Sequence, residues 1–198
     1  ALDNTKDSDG AAREYEMAIE LNPQFFQGFY QFARSRFEQG DHSKALALFK
    51  KASEIHPDDY EAAGFQIFCH EAMGIKVDVI HYQKVTELVR NHLELNPEDT
   101  RALYLGAGIL AKSEERTEAI AWVERAIAQD PKDPMTLYNA SCVFSKLGEI
   151  DLALDVFEKM AGLGGFTNSA WIENDPDVDS IRNHPRFIAA VKTFNKQH

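Results

Sequence analysis

Cysteine, basic charge and long apolar runs are all scarce in this chain of 198 residues. Its two cysteines, Cys69 and Cys142, form no CxxC motif, which predicts free thiols and a reducing, cytoplasmic location. The 21 Lys and Arg residues face 32 Asp and Glu residues, which leaves a net charge of −11. Because phosphate groups are bound by clustered Lys and Arg, this balance argues against nucleic acid and against an anionic membrane as partners. The longest uncharged apolar run, 102–111, has about half the length of a membrane-spanning helix.

Motifs of catalytic and cofactor sites are missing as well. The seven histidines are dispersed, and none of them lies in an HExxH motif. No serine stands in a GxSxG motif. The glycine-rich stretch AGLGGF, residues 161–166, follows a helical segment, whereas loops that bind phosphate follow a strand. The sequence therefore predicts no catalytic residues, no cofactor and no enzymatic activity.

Acidic residues alternate in the tail, where the stretch DPDVDS begins at Asp175. Such alternation is typical of calcium loops, in which carboxylates point at a hard cation. The EF-hand pattern also requires Gly at its sixth place and Glu at its twelfth, and these places hold Ser180 and Arg186. We therefore predict no metal site. Asp175 before Pro176 is instead typical of a helix N-cap with proline in the first turn.

Prolines end successive apolar helical runs at spacings of 34, 40 and 34 residues: Pro23, Pro57, Pro97 and Pro131. Because proline cannot continue a helix, these positions predict helix boundaries. A second set of breaks falls inside the periods, at Gly40, Gly74 and Gly148. Glycine suits the left-handed position just after a helix. Each period therefore predicts two antiparallel helices joined by a short turn.

Small residues recur at matching places in these periods, where two helices must approach closely: Ala33, Ala45 and Ala52; Ala107, Ala119 and Ala126; Ser141 and Ala153. A large apolar residue stands four residues after Ala45, Ala119 and Ala153: Phe49, Val123 and Phe157. Together with the 34-residue period, this pattern resembles the tetratricopeptide repeat. The resemblance covers about residues 10–165 and implies an all-α fold, a right-handed superhelical solenoid of antiparallel helix pairs.

We expect a single domain, 1–198, whose first repeat is incomplete because residues 11–21 match only a second helix. Residues 166–198 are predicted to form a helical cap, since a terminal repeat must cover its apolar face. The residues suited to this role are Trp171, Ile172, Val178 and Ile181, followed by a last helix with Phe187, Ile188, Val191 and Phe194. The tail also resembles segments that follow tetratricopeptide repeats in bacterial multidomain kinases and cyclases.

The period 60–99 departs from the others because it carries six extra residues. We expect them to lengthen its second helix, within 77–95, by about 9 Å. This period also has Ile67, Val79 and Thr86 where the other periods have small residues, so its two helices are predicted to lie farther apart.

The first helix of each tetratricopeptide repeat lines a concave face, so the resemblance implies a set of groove residues: Tyr30, Arg34, Phe68, Arg101, Tyr104, Lys112, Tyr138, Asn139 and Lys146. Gly108 lies at a further place of this kind. Cations outnumber acids in the set, which suits an extended peptide with acidic or polar groups. The three tyrosines hold equivalent places, and the sequence leaves open whether they contact a ligand or pack between helices.

The resulting hypothesis is a non-catalytic scaffold that binds a protein or an extended peptide on its concave face. The alternative is a regulatory or assembly segment of a larger bacterial signalling enzyme, a kinase or a cyclase. The N-terminal edge bears on both hypotheses, because its helix lacks a partner helix before it. Ala11, Tyr15, Ala18 and Ile19 would face that missing helix or the next repeat, so part of this edge should stay bare. We expect it to be covered by a second copy of the chain in a homodimer, or by preceding sequence in a longer protein.

Overall fold

The computed structural model describes residues 8–113, 115–163, 172 and 175–194. Within these ranges every regular element is helical and no strand occurs, which confirms the all-α prediction. Nine α-helices come first: α1 Ser8–Leu21, α2 Phe26–Glu38, α3 His42–Ile55, α4 Tyr60–Ala72, α5 Val79–Leu95, α6 Thr100–Lys112, α7 Arg116–Gln129, α8 Pro134–Lys146 and α9 Ile150–Leu163. A 3-10 helix, Pro176–Val178, and α10, Pro185–Phe194, follow.

Aspartate side chains begin the first helices of three pairs. The carboxylates of Asp59, Asp99 and Asp133 accept hydrogen bonds from the backbone N–H three residues later, at 2.7, 3.0 and 2.7 Å. Each such N-cap contributes about 1 kcal/mol by satisfying an N–H group that has no partner within the helix. Each aspartate follows a period-marking proline by two residues, so the proline spacing predicted these boundaries correctly.

Glycines in the left-handed region end the first helices of three pairs. Gly40, Gly74 and Gly148 have φ angles of 80°, 69° and 74°. A Cβ atom would be strained at these angles, which explains glycine at all three breaks. The connections 39–41 and 147–149 are only three residues long, so α2 and α3, and likewise α8 and α9, are antiparallel neighbours.

Helix α5 corrects the prediction for the longer period. It has 17 residues where α3 has 14, so at 1.5 Å per residue it is about 4.5 Å longer and not 9 Å. The remaining extra residues lie in the connection 73–78, which is twice as long as 39–41. The reason is local, because the Asp78 carboxylate accepts a hydrogen bond from Ile80 N–H at 3.0 Å and starts the helix there.

The chain forms two compact units, Ala1–His81 and Tyr82–His198. In the first unit α1 packs on α2, α2 on α3, and α3 on α4. Its core is rich in aromatic rings, among which Phe32 and Phe49 are fully buried. The single-domain organisation expected from the sequence stays a prediction.

In the second unit α6 packs on α7 and α8, and α9 packs on α8. Leu137, Phe144 and Phe157 belong to its buried cluster. The small residues that predicted close helix approach have no solvent exposure in either unit: Ala33, Ala45, Ala52, Ala107, Ala119, Ala126, Ser141 and Ala153. This burial explains why small residues hold those places.

The tail packs on the last pair of helices as a cap. The 3-10 helix lies on α8 and α10 lies on α9, where the Phe187 and Phe157 ring centroids are 4.3 Å apart. Ile172, Val178 and Ile181 are buried in the same cluster, as predicted. Ile188 was wrongly placed in the apolar stripe of the last helix, because it is 43% exposed and Ala190 is buried instead. Trp171 and the Phe194 side chain lie outside the described residues.

Candidate binding surface

Helix α6 leaves one stripe partly exposed to solvent in the second unit. This α6 stripe consists of Arg101, Leu105, Gly108 and Lys112. Their spacings of four, three and four residues place them on one face of the helix. Two of the four carry positive charge, in a chain whose net charge is −11.

The three tyrosines of the predicted groove are buried. Tyr30 and Tyr104 are 7% exposed and Tyr138 is 3% exposed. The hydroxyl of Tyr30 donates to the Glu61 carboxylate on α4, and its ring packs edge-on against Phe49. The three rings are thus buried within their units, and whether they also contact a ligand stays a prediction.

In the first unit the predicted groove residues Arg34 and Phe68 are both half-buried. The Arg34 guanidinium lies 5.9 Å from the Phe65 ring centroid and pairs with Glu38 at 3.3 Å. Phe68 packs against Phe65 with ring centroids 5.6 Å apart. Together these side chains form an aromatic surface with one cation on α2 and α4.

The cap covers part of the predicted groove on α8. The Tyr138 hydroxyl donates to Asp175 Oδ2 at 2.6 Å, and the Lys146 ammonium pairs with the Asp177 carboxylate. Asn139 is half-buried, and its side-chain amide donates to the Met135 carbonyl at 2.8 Å. Of the predicted groove residues on α8, Tyr138 and Lys146 thus contact the cap, while Asn139 contacts its own helix.

Three potential metal ligands meet under the cap, because Cys142 Sγ and carboxylate oxygens of Asp175 and Asp177 lie within 4.8 Å of one another. The two carboxylates already contact side chains of α8. Asp175 accepts a hydrogen bond from the Tyr138 hydroxyl, and Asp177 pairs with the Lys146 ammonium group. Burial raises the pKa of the Cys142 thiol well above its usual value, which favours the protonated form, whereas metals bind the thiolate. Cys142, Asp175 and Asp177 therefore belong to the polar contact between α8 and the cap. The absence of a metal site stays a prediction.

Helix α1 exposes positions that are buried in the other second helices. Ala11, Tyr15 and Ala18 are half-buried, whereas Ala45, Phe49 and Ala52, one period later, are fully buried. The Tyr15 ring stacks on Phe32 with centroids 5.6 Å apart. Two larger apolar side chains are exposed nearby: Met17 and Leu21. This edge is the second surface on which a partner could pack.

Sequence reasoning predicted both the cap and the groove but missed the contact between them. The available signal was the Asp-Pro pair of the tail. Asp175-Pro176 repeats the Asp133-Pro134 that begins α8. None of the helices in the described ranges is long and apolar enough to cross a membrane.

Comparisons with known proteins agree with this architecture. The tetratricopeptide repeat family profile matches residues 1–60 and 84–134, more than half of the chain. The BBSome complex member BBS4 of Bos taurus is 26% identical over 136 residues, which are 69% of this chain and 25% of that protein. The chain spans about a quarter of the length of the curated relatives that it matches.

Two crystal structures resemble the whole chain in fold. The TPR protein TTC0263 of Thermus thermophilus has a TM-score of 0.61 at 19% identity, and the match covers 93% of this chain and 91% of that one. YrrB, described as a TPR protein with an unusual peptide-binding site, has a TM-score of 0.52 at 18% identity, and the match covers 94% of this chain and 100% of that one.

Proposed function

Because the chain belongs to the tetratricopeptide repeat family, we propose that it is a non-catalytic scaffold that binds a protein or an extended peptide on its first helices. The observation that carries this proposal is the α6 stripe, a partly exposed surface on a first helix whose other residues are mostly buried. Arg101 and Lys112 are partly exposed there, so a partner can reach them.

The names of similar proteins support the proposal. One curated relative is a member of a protein complex, and one structural neighbour is described by its peptide-binding site. Another, at a TM-score of 0.61, is the APC/C hetero-tetramer Cut9-Hcn1. Because these similar proteins are named for a complex, a peptide-binding site and a hetero-tetramer, we propose that this chain also binds a protein or a peptide.

A random-peptide display library panned against the full chain tests the proposal. We expect enriched peptides whose binding is weakened by Lys112→Glu in α6 or by Arg34→Glu in α2. The matched controls Lys50→Glu and Lys159→Glu place the same charge change on exposed positions of second helices, α3 and α9, and should leave binding intact. The proposal fails if no peptide is enriched over a surface without protein.

An assembly role is the second candidate, and the α1 edge favours it. Three positions that other second helices bury completely are half-exposed in α1, and Met17 beside them is 61% exposed. We propose that a second copy of the chain covers this edge. The same surface would serve the alternative hypothesis of a segment that docks within a larger signalling enzyme. The oligomeric state in solution decides between a dimer and that alternative.

A further inference from the structure

The connection between α4 and α5 exposes apolar side chains on the surface of the first unit. Ile75 is 48% exposed, Val79 is 54% exposed and Ile80 is 66% exposed. All three belong to the stretch IKVDVI, residues 75–80, which we call the 75–80 segment. The equivalent connection 39–41 reads QGD, so a turn between two paired helices does not require apolar residues. Exposed apolar side chains that lie together on a protein surface mark a place where another molecule packs.

The backbone of the same segment has hydrogen-bonding groups to offer. The N–H of Ile75 donates to the His70 carbonyl at 2.8 Å. The N–H groups of Lys76 and Val77, in contrast, donate to no backbone carbonyl in the part of the chain that the structure describes. Four of the six residues are β-branched, a side-chain type that favours pairing with another extended segment. Backbone groups of this kind can pair with a second chain.

The two charges of the segment are placed symmetrically. Lys76 and Asp78 flank Val77, one residue away on either side, and both are exposed. If two copies of the segment lie antiparallel with their Val77 residues opposite each other, Lys76 of each copy faces Asp78 of the other. A parallel pairing in register would set Lys76 against Lys76. Because opposite charges stabilise paired strands and like charges destabilise them, the order of these residues favours the antiparallel pairing.

The same charges indicate that the molecule packed on the segment is a second copy of this chain. Two copies that each carry a net charge of −11 repel each other over most of their surface. The 75–80 segment is neutral, because its one cation balances its one acid. A twofold contact also places the same residues on both sides, so a segment that complements itself in charge satisfies both copies at once.

We propose that the 75–80 segments of two copies pair antiparallel across a twofold axis at Val77, with Lys76 of each copy bound to Asp78 of the other. Ile75 of one copy then lies opposite Val79 of the other. This contact is separate from the α1 edge and goes beyond the proposed function. About six residues from each copy bury less area than a standard interface of about 1,600 Å², so the association is weak and depends on concentration.

Disulfide cross-linking of the full chain tests this contact. Val77→Cys places a thiol at the twofold axis, where the two Cα atoms would lie about 5 Å apart, within the distance of about 7 Å that a disulfide can bridge. We expect oxidised glutathione to convert this variant into a covalent dimer. Lys50→Cys, at an exposed position of α3, is the control and should stay monomeric. Val77→Cys that forms no more dimer than Lys50→Cys overturns the inference.

Charge reversal tests the pairing of Lys76 with Asp78. Added to Val77→Cys, Lys76→Glu sets two acids against each other, and Asp78→Lys sets two cations against each other. Each variant alone should lose about tenfold or more of the cross-linked dimer, because two attractive pairs become repulsive. A mixture of the two should regain it as a mixed dimer, identified by its mass, because each copy then supplies the charge that the other needs. A mixture that cross-links no better than the separate variants contradicts the pairing.

Asp78→Lys also removes the carboxylate that accepts a hydrogen bond from Ile80 N–H at the start of α5. Asp78→Asn keeps a side-chain oxygen for that bond and removes only the charge. Added to Val77→Cys, it should lower the yield of dimer less than Asp78→Lys does, at an unchanged melting temperature. Equal yields with Asp78 and with Asn at this position would contradict the charge pairing even if Asp78→Lys failed to fold.

Two further variants separate this contact from other association. Val79→Glu, in the first turn of α5, should weaken the Val77→Cys cross-link, whereas Leu152→Glu, in the first turn of α9 at 42% exposure, should not. Met17→Glu on the α1 edge should also leave the cross-link intact. If Met17→Glu abolishes the cross-link, the association belongs to the α1 edge, so this inference is wrong and the dimer of the proposed function stands. A cross-link that Val79→Glu weakens and Met17→Glu does not supports the contact through the 75–80 segment.

Discussion

At one pair of equivalent places, the larger side chain lies on the first helix in one unit and on the second helix in the other. In the first unit, Phe32 on α2 and Leu48 on α3 fill these places, and both are buried. Seventy-four residues later they hold Gly106 on α6 and Trp122 on α7. The large ring has moved from the first helix to the second. The close contact between the two helices thus needs a certain volume, and either helix can supply it.

Gly106→Ala should destabilise the second unit. The added Cβ would lie 2.7 Å from Val89 Cγ1 and closer still to the Trp122 ring. We expect a loss of about 1–3 kcal/mol, which thermal melts would show as a lower midpoint. Gly108→Ala is the control and should raise stability by up to about 1 kcal/mol, since its Cβ is unopposed. Adding Trp122→Leu to Gly106→Ala should restore part of the lost stability, because the smaller side chain makes room for the new Cβ. A double variant no more stable than Gly106→Ala alone would show that the two side chains do not compensate each other in volume.

Asp99, the N-cap of α6, should make the start of that helix sensitive to acid. Burial raises its pKa, but hydrogen bonds from the Ala102 N–H and from His92, whose Nε2 lies 2.7 Å from Asp99 Oδ2, lower it further than burial raises it. A carboxyl with a lowered folded pKa contributes stability above its unfolded pKa of about 3.8 and loses it as pH falls through the folded value. Asp99→Asn keeps the cap but cannot titrate. Between about pH 5 and pH 2 its melting temperature should fall less than that of the wild type, and parallel curves would rule out this role.

At the scale of elements, α1 packs on α2 but leaves an apolar edge partly exposed. Met17→Glu should shift the chain toward monomer in sedimentation velocity, because a charge at a 61% exposed apolar position opposes contact with a second copy. Tyr15→Glu is a poorer test, since the Tyr15 ring also stacks on Phe32 within the unit. Lys50→Glu on α3 serves as the control and should leave the distribution unchanged. A wild-type chain that is monomeric at high concentration contradicts the dimer.

The cap is predicted to stabilise the last helix pair. Val178→Asp buries an unpaired charge in the cluster with Phe157 and should lower the melting temperature by several degrees or cause aggregation. Ile188→Asp introduces the same side chain at a 43% exposed position of α10 and should change stability little. Similar effects of the two variants would mean that the cap does not pack as described.

At the scale of the whole molecule, most locally determined features were predictable from sequence, and contacts between residues distant in sequence were not. Prolines and capping aspartates act within a few residues, so the helix starts at 60, 100 and 134 followed from them. The length of α5 was missed because Asp78, a local cap, ended the connection later than the apolar pattern indicated. The contact of Asp175 and Asp177 with α8 was missed because it joins residues more than thirty apart in sequence.

The two free thiols are divided between the units, with Cys69 in the first and Cys142 in the second, and both are buried. Burial raises the pKa of Cys69 to about 12 and that of Cys142 well above its usual value, so neither should react with a thiol reagent in the native state. Modification must therefore wait until the surrounding helices open. The variant Cys142→Ala keeps only the thiol of the first unit, and Cys69→Ala keeps only that of the second. The rate at which a thiol reagent labels the remaining cysteine then measures how often that unit opens. Equal labelling rates in the two variants would indicate that both units open in a single cooperative event. Unequal rates would indicate that each unit opens separately. Rapid labelling in native buffer would contradict the burial of the thiols.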